Sequence, residues 1–98
     1  MVTKIERYMF LDEKKKVKVY VEIEGIGALE EKISCDFGTD SFELVIADTE
    51  STKRCLSVDD LSRPIDPDRS KMTVKPNKIV LSLHKDTETT WYNLRKSS

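Results

Sequence analysis

An all-β chain, folded as a seven-stranded antiparallel β-sandwich, is what the sequence predicts, and three observations carry that expectation. Residues 16–24 put Val17, Val19, Val21 and Ile23 at every second position, with Lys16, Lys18, Tyr20, Glu22 and Glu24 between them. A helix would scatter those apolar side chains around its axis, whereas a strand collects them on one face. Similar short alternating runs recur at spacings of about 8–12 residues, the spacing of a sandwich or small barrel. The breaks between runs hold Gly, Pro, Asn and Asp, residues that supply turn geometry.

In chain order, a short opening strand is expected over Glu6 to Phe10, followed by the long strand 16–24. Gly25-Ile26-Gly27 ends that strand, and Leu29-Glu30-Glu31-Lys32 reads as one helical turn. Ile33, Cys35 and Phe37 alternate with Ser34 and Asp36, then Gly38-Thr39-Asp40 turns the chain as a hairpin into Phe42, Leu44 and Ile46. Asp48-Thr49-Glu50-Ser51 is a second polar break, leading to Leu56 and Val58. Pro64 and Pro67 lie between runs, where a missing N–H is tolerated. Met72 and Val74 form a further short strand, and Pro76-Asn77 turns it into Ile79, Leu81 and Leu83. The expected core is Val17, Val19, Val21, Ile23, Phe37, Phe42, Leu44, Ile46, Leu81 and Leu83. The tail from Asp86 is polar apart from Trp91, Tyr92 and Leu94, so its first part is expected to dock on the sandwich and its end to fray. The whole chain, 1–98, reads as one domain with an ordered core over 4–94.

Composition narrows the function. At 98 residues the chain holds one core, and such a chain buries about 60–70% of its unfolded surface. Its longest apolar runs are four residues, Tyr8–Leu11 and Leu44–Ala47, far short of the about 20 that a membrane helix needs. Two cysteines are too few for a disulfide framework, so a reducing compartment, cytoplasmic or also nuclear, is expected. A net charge of −1 offers no general attraction to nucleic acid. No membrane or nucleic-acid partner is expected.

A search for catalytic chemistry returns little. The single histidine, His84, shares a strand face with Ser82, but nothing in the sequence supplies an orienting third group or an oxyanion hole. A phosphatase loop needs Arg after Cys and five intervening residues, and the positions that follow Cys35 and Cys55 at that spacing are Ser41 and Leu61. Cys35 is in phase with Ile33 and Phe37, as a small buried hydrophobe; Cys55 is out of phase with Leu56 and Val58 and is expected to face outward. The opposite phases predict that the two are unbonded. Asp59-Asp60 and Asp66-Pro67-Asp68 lack the spacing of a calcium loop and read as turn and cap chemistry. No enzyme activity, cofactor or metal is expected.

What stands out instead is the outward face of the long strand, with Lys16, Lys18, Tyr20 and Glu22. The last strand, if it joins the same sheet, adds Lys78, Val80, Ser82 and His84, and Lys71, Thr73 and Lys75 extend the strip. Positive charge mixed with an aromatic suits an acidic protein partner, because the charge steers the encounter and the ring anchors it. The candidate partner-binding residues are therefore Lys16, Lys18, Tyr20, Ser82 and His84. Trp91 is a candidate for the edge of this surface, with closure of the sandwich end as its alternative role.

Four short motifs in order carry a resemblance. They are Lys4-Ile5-Glu6-Arg7-Tyr8-Met9-Phe10 before the Lys-Val strand, Ser41-Phe42-x-Leu44, Leu61-x-Arg63-Pro64-Ile65, and Trp91-x-x-Leu94. Together they resemble the CS domain, a β-sandwich module of co-chaperones, and within it the calcyclin-binding, or Siah-interacting, branch. Departures are Phe10, where that branch usually has Trp, and Met9, where Gly is common. The resemblance implies a non-enzymatic adaptor domain excised from a longer protein, monomeric in isolation. It also implies a role in ubiquitin-dependent degradation, linking a Siah-type ligase to the Skp adaptor subunit, with the CS domain on the Skp side. The alternative it implies is an Hsp-ninety co-chaperone surface, as in Sgt-type relatives. Those relatives use an aromatic after the first-strand tryptophan and charged residues around Trp-x-x-Leu, where this chain has Leu11, Tyr92 and Asn93. A phosphatase activity associated with the branch finds no matching cysteine loop here.

Overall fold

The computed structural model describes residues 2–49 and 51–96. Eight strands run in the order β1 (Val2–Lys4), β2 (Met9–Asp12), β3 (Lys16–Glu22), β4 (Ile33–Phe37), β5 (Phe42–Ala47), β6 (Lys53–Val58), β7 (Lys71–Lys75) and β8 (Lys78–His84). They form two four-stranded sheets, β1-β6-β5-β4 and β2-β3-β8-β7. The sandwich architecture is as expected, but the strand count is eight rather than seven.

Two differences lie at the start of the chain. The opening strand expected over Glu6 to Phe10 sits instead at Met9–Asp12, and an additional strand, Val2–Lys4, precedes it. That first strand pairs with β6 in parallel, so the sandwich is not antiparallel throughout. A backbone bond from Ile5 N–H to the Cys55 carbonyl (2.7 Å) extends this pairing before the chain crosses to the other sheet. All three β1 side chains are exposed, so the strand is held by its backbone and leaves no apolar alternation to read.

The core follows the alternation. Val17, Val19, Val21, Leu44, Ile46, Leu81 and Leu83 are fully buried, and Phe42 nearly so. Ile23 and Phe37, at strand ends, are partly buried against them. Ile26, Leu61, Ile65, Trp91 and Leu94 complete the core from outside the strands.

The segment after β3 is longer than one helical turn. It spans Ile26–Lys32 as 3₁₀ structure with a break at Leu29, and Ile26 is its buried residue. Its start is clasped to the β7–β8 turn. Gly25, at φ 74°, donates its N–H to Asn77 Oδ1 (2.9 Å). Ile23 N–H bonds the Asn77 carbonyl, and Gly27 N–H bonds that of Pro76. A Cβ on Gly27 would lie 2.9 Å from Pro76 Cα, so the two turns meet where a side chain has no room.

Hydrogen bonds tie the tail to the sandwich through Lys96. Ser62 N–H bonds the Leu94 carbonyl and Lys96 N–H the Asp60 carbonyl. Arg95 Nε pairs with Asp60 Oδ1 at 2.8 Å, and that hydrogen bond raises the guanidinium pKa further. Ser97 and Ser98, where fraying was also expected, lie outside the described residues. The aspartates of the 66–68 turn do local work: Asp66 Oδ1 accepts from Asp68 N–H, and the Asp66 carbonyl from Arg69 and Ser70.

Candidate functional site: the outer face of the β2-β3-β8-β7 sheet

Register assembles the candidate residues. On the outer face Lys16 stands opposite His84, Lys18 opposite Ser82, Tyr20 opposite Val80 and Glu22 opposite Lys78. Strand β7 continues the rows, with Lys71 beside Ser82, Thr73 beside Val80 and Lys75 beside Lys78. The alternating burial of β3 leaves Lys16, Lys18 and Tyr20 half-buried on this side, while Val17, Val19 and Val21 are buried on the other. Five of the six candidate residues therefore share one surface.

Strand β2 contributes what sequence reading did not single out. Met9 pairs with Tyr20 and Leu11 with Lys18, so both point to the same outer face. They are 59% and 50% exposed. The middle of the face is thus an apolar row, Met9–Tyr20–Val80, with Leu11 beside it and lysines above and below. The signal was the alternation of Met9 and Leu11 about Phe10, which an opening strand ending at Phe10 conceals.

The sixth candidate is elsewhere. Trp91 is 3% exposed and belongs to the core cluster, so it closes the sandwich rather than edging the surface. Its indole N–H has no hydrogen-bond partner among the described residues.

Electrostatically the face is positive and loosely paired. In the paired rows of β3, β7 and β8, Lys16, Lys18, Lys71, Lys75 and Lys78 outnumber the single acidic residue Glu22, on a chain whose net charge is −1. Lys18 approaches Glu13 at 3.9 Å, a contact between partly solvated groups that contributes little. Lys78 Nζ lies 5.4 Å from the Tyr20 ring centroid, a cation–π contact that holds the ring along the sheet surface. The His84 backbone N–H bonds Ser70 Oγ, and its Nδ1–H donates to the Lys85 carbonyl (3.0 Å). One ring nitrogen of the imidazole is thereby held by the backbone.

Neither cysteine is disulfide-bonded. Cys35 faces inward on the edge strand β4; Cys55, paired with Val45, faces outward on β6 of the same sheet. Burial, reinforced by Asp36 and Glu43, pushes the Cys35 thiol up to about 12. At pH 8 it is almost wholly protonated and a poor nucleophile. Alkylation of the native protein at pH 8, followed by peptide mass spectrometry, is expected to label Cys55 well before Cys35. Equal labelling rates would contradict the assigned orientations.

The CS domain family matches residues 6–85. No curated protein sequence matches the chain at a significant level. Among solved structures, the CS domain of human KIAA1068 protein superposes with a TM-score of 0.76 at 16% identity, covering 93% of this chain and 73% of that one. The nuclear movement protein from E. cuniculi GB-M1 superposes at 0.68 with 10% identity, covering 92% and 99%. Heat shock protein 16.0 from Schizosaccharomyces pombe superposes at 0.64 with 15% identity, covering 89% and 92%. At these identities the structures speak for the fold; with the family match over most of its length, the chain belongs to the CS domain family.

Proposed function

We propose that this CS domain is a non-enzymatic adaptor that docks an acidic protein surface on the outer face of its β2-β3-β8-β7 sheet. The observation that carries this reading is the pairing of exposed Met9 and Leu11, beside the half-buried Tyr20, with a surround of lysines, on a chain of net charge −1. Apolar and aromatic anchors inside a charged rim are the composition of a protein interface, in which the rim steers and the anchors hold. The partner proposed is the Skp subunit of a ubiquitin ligase, in a Siah-linked degradation pathway, with the domain acting as a monomer in the cytoplasm or nucleus. Its support is the set of motifs shared with the calcyclin-binding branch.

A second reading is an Hsp-ninety co-chaperone surface. The exposure of Leu11 favours it, because Sgt-type relatives place a contacting aromatic after the first-strand tryptophan, and here that position is outward and half-exposed.

Titration of the isotope-labelled domain, separately with the Skp subunit and with Hsp-ninety, separates the two. Shifts are expected at Met9, Leu11, Lys18, Tyr20 and Ser82. The double reversal Lys18→Glu/Lys71→Glu flanks Ser82 on both sides and is expected to slow association about tenfold at low salt, and less at high salt. Tyr20→Ala is expected to weaken binding by about 1–2 kcal/mol. Shifts confined to Glu43, Val45 and Ser57 would move the surface to the opposite sheet. Binding to Hsp-ninety alone would reverse the order of the two readings.

A further inference from the structure

The β1–β2 crossing leaves a cleft at one corner of the basic face. It has a volume of about 530 Å³ and is lined by Glu6, Arg7, Tyr8, Met9, Tyr20 and Glu22. That volume falls within the range of small-ligand sites, about 300–1,000 Å³. Two tyrosine rings and a thioether provide apolar, polarizable walls. Glu6 and Glu22 are exposed, and neither has an ion-pair partner among the described residues. Lys78 Nζ lies over the Tyr20 ring, 5.4 Å from its centroid, so this ring already takes part in one cation–π contact in this conformation.

We propose that this cleft is a subsite for a cationic aliphatic side chain, a lysine or arginine presented by a bound partner. The stem would lie along Met9 and the tyrosine rings, and the charged head would reach the Glu6 and Glu22 carboxylates. Long basic side chains favour this arrangement, because the methylenes bury against apolar walls while the head stays at a polar rim. Arg7 lines the same cleft, also without an ion pair among the described residues, and its charge limits the site to one cation. The subsite stands whichever protein docks on the neighbouring face. It gives that face a selectivity that lysines alone lack, since a purely acidic segment would leave both carboxylates unmet.

The test needs no partner protein. The isotope-labelled domain is titrated with Nα-acetyl-lysine methylamide, its arginine counterpart, the norleucine counterpart as an uncharged isostere, and the glutamate counterpart. Both cationic probes are expected to shift the amides of Met9, Tyr20 and Glu22, with millimolar dissociation constants. Norleucine is expected to bind at least fivefold more weakly. Glu6→Gln/Glu22→Gln, two exposed positions where the fold is insensitive, is expected to weaken the cationic probes by at least fivefold and leave norleucine unchanged. Equal shifts from norleucine would make the cleft a general apolar groove and overturn the proposal. So would stronger binding of the glutamate probe through Arg7, or cationic shifts confined to Asp59 and Asp60.

Discussion

Val19→Asp is expected to unfold the domain. Val19 is fully buried at the centre of β3, with Phe10 and Leu81 as its cross-strand neighbours. Its inward side looks across the sandwich into a core whose nearby members are all apolar. An aspartate there has two routes, and both are costly. Ionised, it is an unpaired charge in an apolar core; protonated, it is a carboxylic acid with unmet hydrogen bonds in place of two methyl groups. The expected loss is about 4 kcal/mol or more, against a total of about 5–15 kcal/mol for a domain of this kind. Circular dichroism and the intrinsic fluorescence of Trp91, the one tryptophan, report it directly. Lys18→Asp, one residue away on the outer face, is the control and is expected to stay folded. If Val19→Asp unfolds with the same midpoint as the parent protein, the inward assignment of β3 is wrong.

That contrast between positions 18 and 19 is what made the sandwich legible. Strands with one wet face and one dry face write their orientation into a two-residue period, so β3, β5 and β8 were readable with their inward residues. The candidate face was readable for the same reason, because the outward phase of β3 and β8 places their side chains together once register is known. What alternation could not carry was anything held by backbone or by non-local contact. Strand β1 is three residues with every side chain exposed, so its pairing with β6 has no sequence signature. Met9 and Leu11 were hidden by a boundary placed two residues early. Trp91 could not be assigned between core and surface, because its burial depends on a strap tied down at Asp60 and Ser62, some thirty residues away in sequence.

Lys85 is the least legible residue and the source of the second large effect. In sequence, Lys85-Asp86 after the last strand looks like solvated punctuation. In the structure its side chain is only 2% exposed. Its ammonium lies 2.6 Å from Asp12 Oδ1 at the end of β2 and donates to the Thr89 carbonyl at 2.5 Å. One side chain thus joins the end of β2 to the start of the tail strap, while its backbone bonds Lys15. Removing a single partner from such a pair leaves a carboxylate without its counter-ion, and fully buried pairs lose about 3–5 kcal/mol in that way. The Asp12 side chain is 25% exposed, so water recovers part of that cost. Lys85→Met, which keeps most of the volume, is expected to lose about 2–3 kcal/mol. Replacing both partners, Lys85→Met/Asp12→Leu, removes the stranded charge and is expected to recover at least half of the loss, since an apolar pair often matches a buried ion pair. Urea unfolding monitored through Trp91 measures all three proteins, and a fall in the tail's amide protection for Lys85→Met alone would localise the effect to the strap. A single variant as stable as the parent would show that Lys85 is packed but not needed, and a double variant worse than the single would show that Asp12 has a role of its own beyond receiving the ammonium.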